Sequence, residues 1–144
     1  MRQLPRNLDS VTAQRWIREQ AALAETLRKA LAPAFRLYLA PGQQNGGWMK
    51  GFDLEKHLEE TKLIDRAYSL EDELVKGWIA NPSTYPEEFK KKAVFLWKSQ
   101  RTSGSDREVA YLYWDDDRVI VSWDWLEDRW YGYDPVLLAS SLVP

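Results

Sequence analysis

Apolar residues recur at helical spacing in the first part of the chain and at alternate positions in the last. Trp16, Leu23, Leu27 and Leu31, flanked by Ile17 and Ala24, fall on one stripe. That stripe predicts an amphipathic helix, capped at Asp9, Ser10 or Thr12 and running to about Ala32, where Pro33 stops it. Phe35, Leu37 and Leu39 alternate with Ala34, Arg36 and Tyr38, which permits a short strand. The stretch APGQQNGGWMKG, residues 40–51, is rich in turn formers and reads as a flexible loop or hinge. A second helix is expected from Asp53 to about Ile64. SLED, residues 69–72, fits the capping-box pattern with Ser69 as cap, ahead of a helix to about Ala80 whose inner face is Leu70, Leu74, Val75, Trp78 and Ile79. NPSTYPEEF then breaks the chain twice with proline, and PEEF suits one more helical turn with Pro86 at its first position.

From Ala93 the pattern changes to strands. AVFLWKS is apolar on both faces, as in a strand covered from both sides. QRTSGSD reads as a loop, REVAYLYW and RVIVSWDWL as two strands, RWYGY as a short fourth, and DPVLLASS as a closing helical turn with Asp134 as its cap. This order predicts an α+β domain over residues 1–144: N-terminal helices, to about residue 92, packed on a small C-terminal antiparallel β-meander of three to four strands. The meander resembles small uncharacterised bacterial proteins in its run of strand, acidic turn and tryptophan-rich strand, a resemblance that implies no activity.

Four of the eight tryptophans lie in residues 111–135, so the parity of the hairpin decides what they do. With Asp115, Asp116 and Asp117 as a three-residue loop, Val109 faces Trp123, Tyr111 faces Val121 and Tyr113 faces Val119. Trp123 and Trp125 then share one apolar face with three valines and belong to the core rather than to a stacking platform. A slip of one residue would set Glu108 against Trp125 and Ala110 against Trp123, mixing charge into that face, so the pattern favours the first register. Trp130, Tyr131 and Tyr133 lie beyond the patterned strands beside Gly132. Together with Trp48, in the glycine-rich loop, they are the candidate exposed contact residues.

Composition narrows the function classes. The chain has 144 residues, 44 % of them hydrophobic and 29 % charged, with no cysteine and a net charge of −2. Disulfides and thiolate metal sites are therefore excluded, and no apolar run is long enough for a membrane span. Met1 to Ser10 lacks the apolar core of a signal peptide, so a cytoplasmic protein is expected. Residues 1–36 hold seven Arg or Lys against three acids, and residues 106–134 hold nine acids against three arginines. Arg15, Arg18, Arg28 and Lys29 could meet nucleic acid, but aromatics set among acids argue against stacked bases.

Candidate chemistry is sparse. In the favoured register Glu108 lies across from Asp124, and two close carboxyls are how a general acid is kept protonated near neutral pH. His57, the only histidine, is a further candidate base. Asp115 and Asp117 could offer oxygen ligands to a hard cation, although triple aspartate is also ordinary turn chemistry. No G-x-S-x-G, phosphate-cradling loop, dinucleotide fingerprint or H-E-x-x-H is present, and no cofactor is expected. These features favour a non-catalytic interaction or regulatory domain with a protein partner or self-association. The alternative is a carboxylate-dependent hydrolase or glycan-binding protein that uses the acidic, aromatic-rich sheet face.

Overall fold

The computed structural model describes residues 10–30 and 35–140, and of residues 24–30 the backbone only. The chain divides into two compact units, residues 1–34 and 35–144. The first contributes α1, Ser10–Ala30. Val11, Ile17 and Leu23 are exposed on it, and Arg15 pairs with Glu19 one turn on, at 3.3 Å. The cap candidate Asp9 and the side chains of Leu27, Leu31, Arg28 and Lys29 lie outside the described residues.

The second unit is built on a five-stranded sheet. Its strands are β1 (Phe35–Tyr38), β3 (Val94–Ser103), β4 (Asp106–Asp115), β5 (Arg118–Trp125) and β7 (Val136–Ala139), in the spatial order β1-β7-β3-β4-β5. A two-residue ribbon pairs β2 (Met49–Lys50) with β6 (Arg129–Trp130). Two helices, α2 (Gly51–Glu60) and α3 (Glu73–Ala80), fall between β1 and β3 in the chain. The α+β class therefore stands, with two corrections. The helices are interleaved with strands rather than gathered at the N-terminus, and the sheet has five strands with one parallel pair, β3 with β7, so it is not a simple meander.

The extra strand comes from DPVLLASS. Asp134 and Pro135 imitate a helix start, but Val136, Leu137 and Leu138 are all buried. Enclosed between β1 and β3, an unbroken apolar run buries both of its faces as a strand. Ser69 does not cap a helix either. Its N–H donates to Asp72 Oδ2 at 2.6 Å, closing a turn of its own, and the helix begins at Glu73. Likewise Pro86 precedes a short 3-10 turn, Glu87–Phe89, and β3 runs on through the expected loop to Ser103.

Both faces of the sheet are covered. Val94, Leu96, Ala110, Leu112, Val119 and Leu137 pack beneath Val75 and Trp78 of α3 and the rings of Tyr85 and Phe89. Phe95, Trp97, Val109, Val136 and Leu138 pack on the other side against Leu54 and Leu58 of α2, with Leu126 and Trp130. Alternate residues of β3 feed opposite layers, which is why its run of four apolar side chains is continuous. Beyond Leu96 the strand bulges before Gln100 regains pairing with Val109. The bulge is held from outside by Lys98 N–H to Tyr68 O, 3.2 Å, and Leu70 N–H to Ser99 Oγ, 2.8 Å.

The hairpin takes the register that sequence patterning disfavours. Asp115 pairs with Arg118, Leu112 with Val121, Ala110 with Trp123 and Glu108 with Trp125. Only Asp116 and Asp117 form the turn, with φ of 47° and 62°, the two positive values of a type I′ hairpin whose twist matches that of the strands. Charge does enter the apolar face, and it arrives paired. Arg101 Nε donates to Glu108 Oε2 at 2.8 Å and Trp125 Nε1 donates to Glu108 Oε1 at 2.7 Å. The Arg101 guanidinium also lies 4.3 Å over the Trp123 ring.

Candidate functional site

An open groove of about 1310 Å³ lies at the end of the sheet where β1 finishes and β3 begins. Arg36, Leu37, Tyr38 and Leu39 form one wall, the 43–47 loop and Tyr131–Tyr133 line it further along, and Glu87, Glu88, Lys91 and Lys92 complete it. The two tyrosine rings stack at 5.4 Å with an interplanar angle of 15°, and Tyr133 is 58 % exposed.

The position of those rings is fixed by Gln43, which is fully buried. Its Oε1 accepts from Ala40 N–H at 3.0 Å, and its Nε2 donates to the carbonyls of Tyr131, at 3.1 Å, and Asp134, at 3.0 Å. One amide thus ties the start of the glycine-rich loop to the 131–134 turn, and few of its hydrogen-bonding groups are left unused. Asp134 closes the turn from inside, its Oδ2 accepting Tyr131 N–H at 2.8 Å. Burial pushes the Asp134 carboxyl above its ordinary value, and the Tyr131 N–H partly offsets the rise. At Gly132 the two segments approach closely, since a Cβ would come within 3.2 Å of the Gln43 carbonyl oxygen and would need it to give by a few tenths of an ångström.

The structure separates the other candidates. Trp130 is fully buried, its ring 3.9 Å from Phe95 and 5.0 Å from Trp97, so it belongs to the core. Trp48 is exposed at 43 %, with the Arg129 guanidinium 4.3 Å over its ring, and it does not line the groove. Trp125, expected in the core, is 49 % exposed, because it sits at the strand end outside the cluster under α3. Trp123 is half-buried.

Glu108 and Asp124 do not pair. The hairpin register turns them to opposite faces, with Glu108 across from Trp125 and Asp124 across from Val109. The Glu108 carboxyl is held below its ordinary value by the hydrogen bonds from Arg101 and Trp125, a structural ion pair with both oxygens engaged. Asp124 is pushed up to about 7, first by burial and then by a hydrogen bond with Asp128, while Trp125 N–H, 2.8 Å from its Oδ1, opposes the rise. The charged groups that act on it are carboxyls, Asp128 and Asp134.

His57, the candidate base, is engaged with Tyr38. It is half-buried, its Nε2 lies 2.7 Å from Tyr38 Oη and its ring is parallel to that of Tyr38, so it backs one wall of the groove. Asp115 and Asp117 are exposed at the hairpin end, and among the described residues no three His, Cys, Asp or Glu come together to hold a metal ion. No described helix is long and apolar enough to cross a membrane.

Sequence patterning singled out Tyr131 and Tyr133 but missed Gln43, Arg36, Tyr38 and Lys91. A glutamine in a polar, glycine-rich loop carries no local sign that it will be buried, since its partners come from a segment 88 to 91 residues away. No family model, curated protein or solved structure matches this chain.

Proposed function

We propose that the protein is a non-catalytic interaction domain that receives an extended polypeptide segment of a partner in the groove beside Tyr131 and Tyr133. One observation carries this reading: three consecutive residues of an end strand, Arg36 to Tyr38, and Leu39 just beyond it line the groove together with a stacked tyrosine pair. Among the described residues no strand pairs with the outer side of β1. A peptide added there gains main-chain hydrogen bonds from the edge, and alternate side chains give the choice of partner. Tyrosines suit such a contact because they bring a large, rigid area with a polar tip at small entropic cost. Arg36 and Lys91 supply positive charge on either side, while Glu87 is engaged with Lys90 at 2.7 Å.

The test is selection of peptides from a random library on the full chain, followed by affinity measurement of the selected sequences. Tyr133→Ala should weaken binding about tenfold or more, as truncation of an aromatic anchor does, while Trp48→Ala, outside the groove, should leave it unchanged. Selected peptides that bind Tyr133→Ala and Lys91→Glu as well as the parent chain would rule the groove out.

A further inference from the structure

At the far end of the sheet from the groove, β5 offers a second edge of a different kind. It is eight residues long, apolar at Val119, Ile120, Val121, Trp123 and Trp125, and free of the lysines, prolines and bulges that usually blunt an edge. Its hydrogen-bonding parity can be read directly. Leu126 N–H donates to Arg107 O at 3.0 Å, so the even-numbered residues turn their main-chain groups to β4 and the odd-numbered ones turn theirs outward. At Trp125 those outward groups are already used, the N–H by Asp124 Oδ1 and the carbonyl by Asp128 N–H at 3.0 Å. For Val119, Val121 and Trp123, no partner is found among the described residues.

We propose that a second copy of this chain docks antiparallel on the outer edge of β5, joining two sheets across a two-fold axis at Val121. Antiparallel pairing must match outward-facing residues with outward-facing residues, which removes every register that sets an odd residue against an even one. Of those that remain, the one centred on Val121 engages Val119, Val121 and Trp123 together: Val119 pairs with Trp123 of the partner copy and Val121 with its own equivalent. A shift to a centre at Ser122 would need the outward groups of Trp125, which are taken. A centre at Ile120 would leave Trp123 facing the turn at Asp117.

The same register brings opposite charges together. Arg118 falls directly across from Asp124 of the partner copy, twice by symmetry, on the face that holds Ile120 and Ser122. Within one chain neither Arg118 nor Asp124 forms an ion pair among the described residues, and the charged groups that act on Asp124 are carboxyls, Asp128 and Asp134. Arg118 and, above about pH 7, the Asp124 carboxylate each thus lack a counterion that the second copy would supply, and directly opposed pairs of unlike charge favour one register over its neighbours. Hydrogen-bond parity and charge are independent constraints, and they select the same alignment.

Sedimentation equilibrium of the full chain over a series reaching about 1 mM tests this, with masses between 16.9 kDa and twice that value expected to follow a monomer–dimer equilibrium. Val121→Pro removes an N–H that bonds to nothing within the chain, as edge positions tolerate, and should raise the dissociation constant at least about tenfold. Arg118→Asp should weaken association similarly, and Arg118→Asp combined with Asp124→Arg should restore it, with far-UV circular dichroism confirming that each variant is folded. A chain that stays at the monomer mass throughout overturns the proposal. So does a dimer indifferent to both single variants, which would place association elsewhere, or a charge swap that fails to restore what the single reversal lost.

Discussion

Asp124 shows how one residue can couple the fold to pH. Its carboxyl, ordinarily near 3.8, is raised to about 7 by burial and by its hydrogen bond with Asp128. Between those values the folded chain holds a proton that the unfolded chain has released. Stability is therefore greatest below about pH 3.8, declines as pH rises toward 7 and levels off above it, as far as this group is concerned. Asp124→Asn needs no proton and can still accept Trp125 N–H. In dilute protein it should raise the melting temperature by a few degrees at about pH 8, leave it nearly unchanged at about pH 3, and flatten the decline between them. Part of the slope should survive, because the Asp134 carboxyl is raised by burial as well. Thermal unfolding across a pH series reads this directly, and an Asp124→Asn variant that loses stability at high pH would contradict it. Gln43 is the opposite case, a buried polar residue with satisfied hydrogen bonds, and its role is to hold two loops in one place so that Tyr131 and Tyr133 stand where they do.

Among the elements, the β4–β5 hairpin best separates what sequence can and cannot give. Both strands, their approximate bounds and the aspartate turn follow from alternation and turn chemistry alone. The register does not, because the expectation kept Glu108 off the valine face, whereas Arg101 and the Trp125 indole accommodate its charge there. Arg101 comes from a strand whose bulge shifts its alignment, and nothing local to the hairpin announces that. Pro135 misled in the same way, being as suitable for the start of a buried strand as for the start of a helix. The groove was legible only through its off-pattern tyrosines. The turn itself gives a test: Asp116 has a positive φ of 47°, which a non-glycine residue adopts at some cost, whereas a three-residue loop would place it in the ordinary right-handed region. Asp116→Gly should therefore raise stability by up to about 1 kcal/mol in urea unfolding. A loss of stability would point to the longer loop.

At the scale of the whole second unit, a sheet covered on both faces leaves its two ends as the places where another chain can join by strand pairing. One end, β1 with the groove, carries polar and aromatic groups suited to a foreign segment. The other, β5, carries a self-complementary pattern. Since they lie at opposite edges of the sheet, occupation of one leaves the other open, and Arg118→Asp should not alter peptide affinity at Tyr133. The placement of Glu108 and Asp124 on opposite faces depends on the hairpin register. Cross-strand Hα–Hα nuclear Overhauser effects measure that register without intermediary, since such protons approach closely only at the non-hydrogen-bonded pairs. Contacts from Ala110 to Trp123 and from Leu112 to Val121 are the expected result. Contacts from Val109 to Trp123 and from Tyr111 to Val121 would contradict it, restoring the face on which the two carboxyls meet.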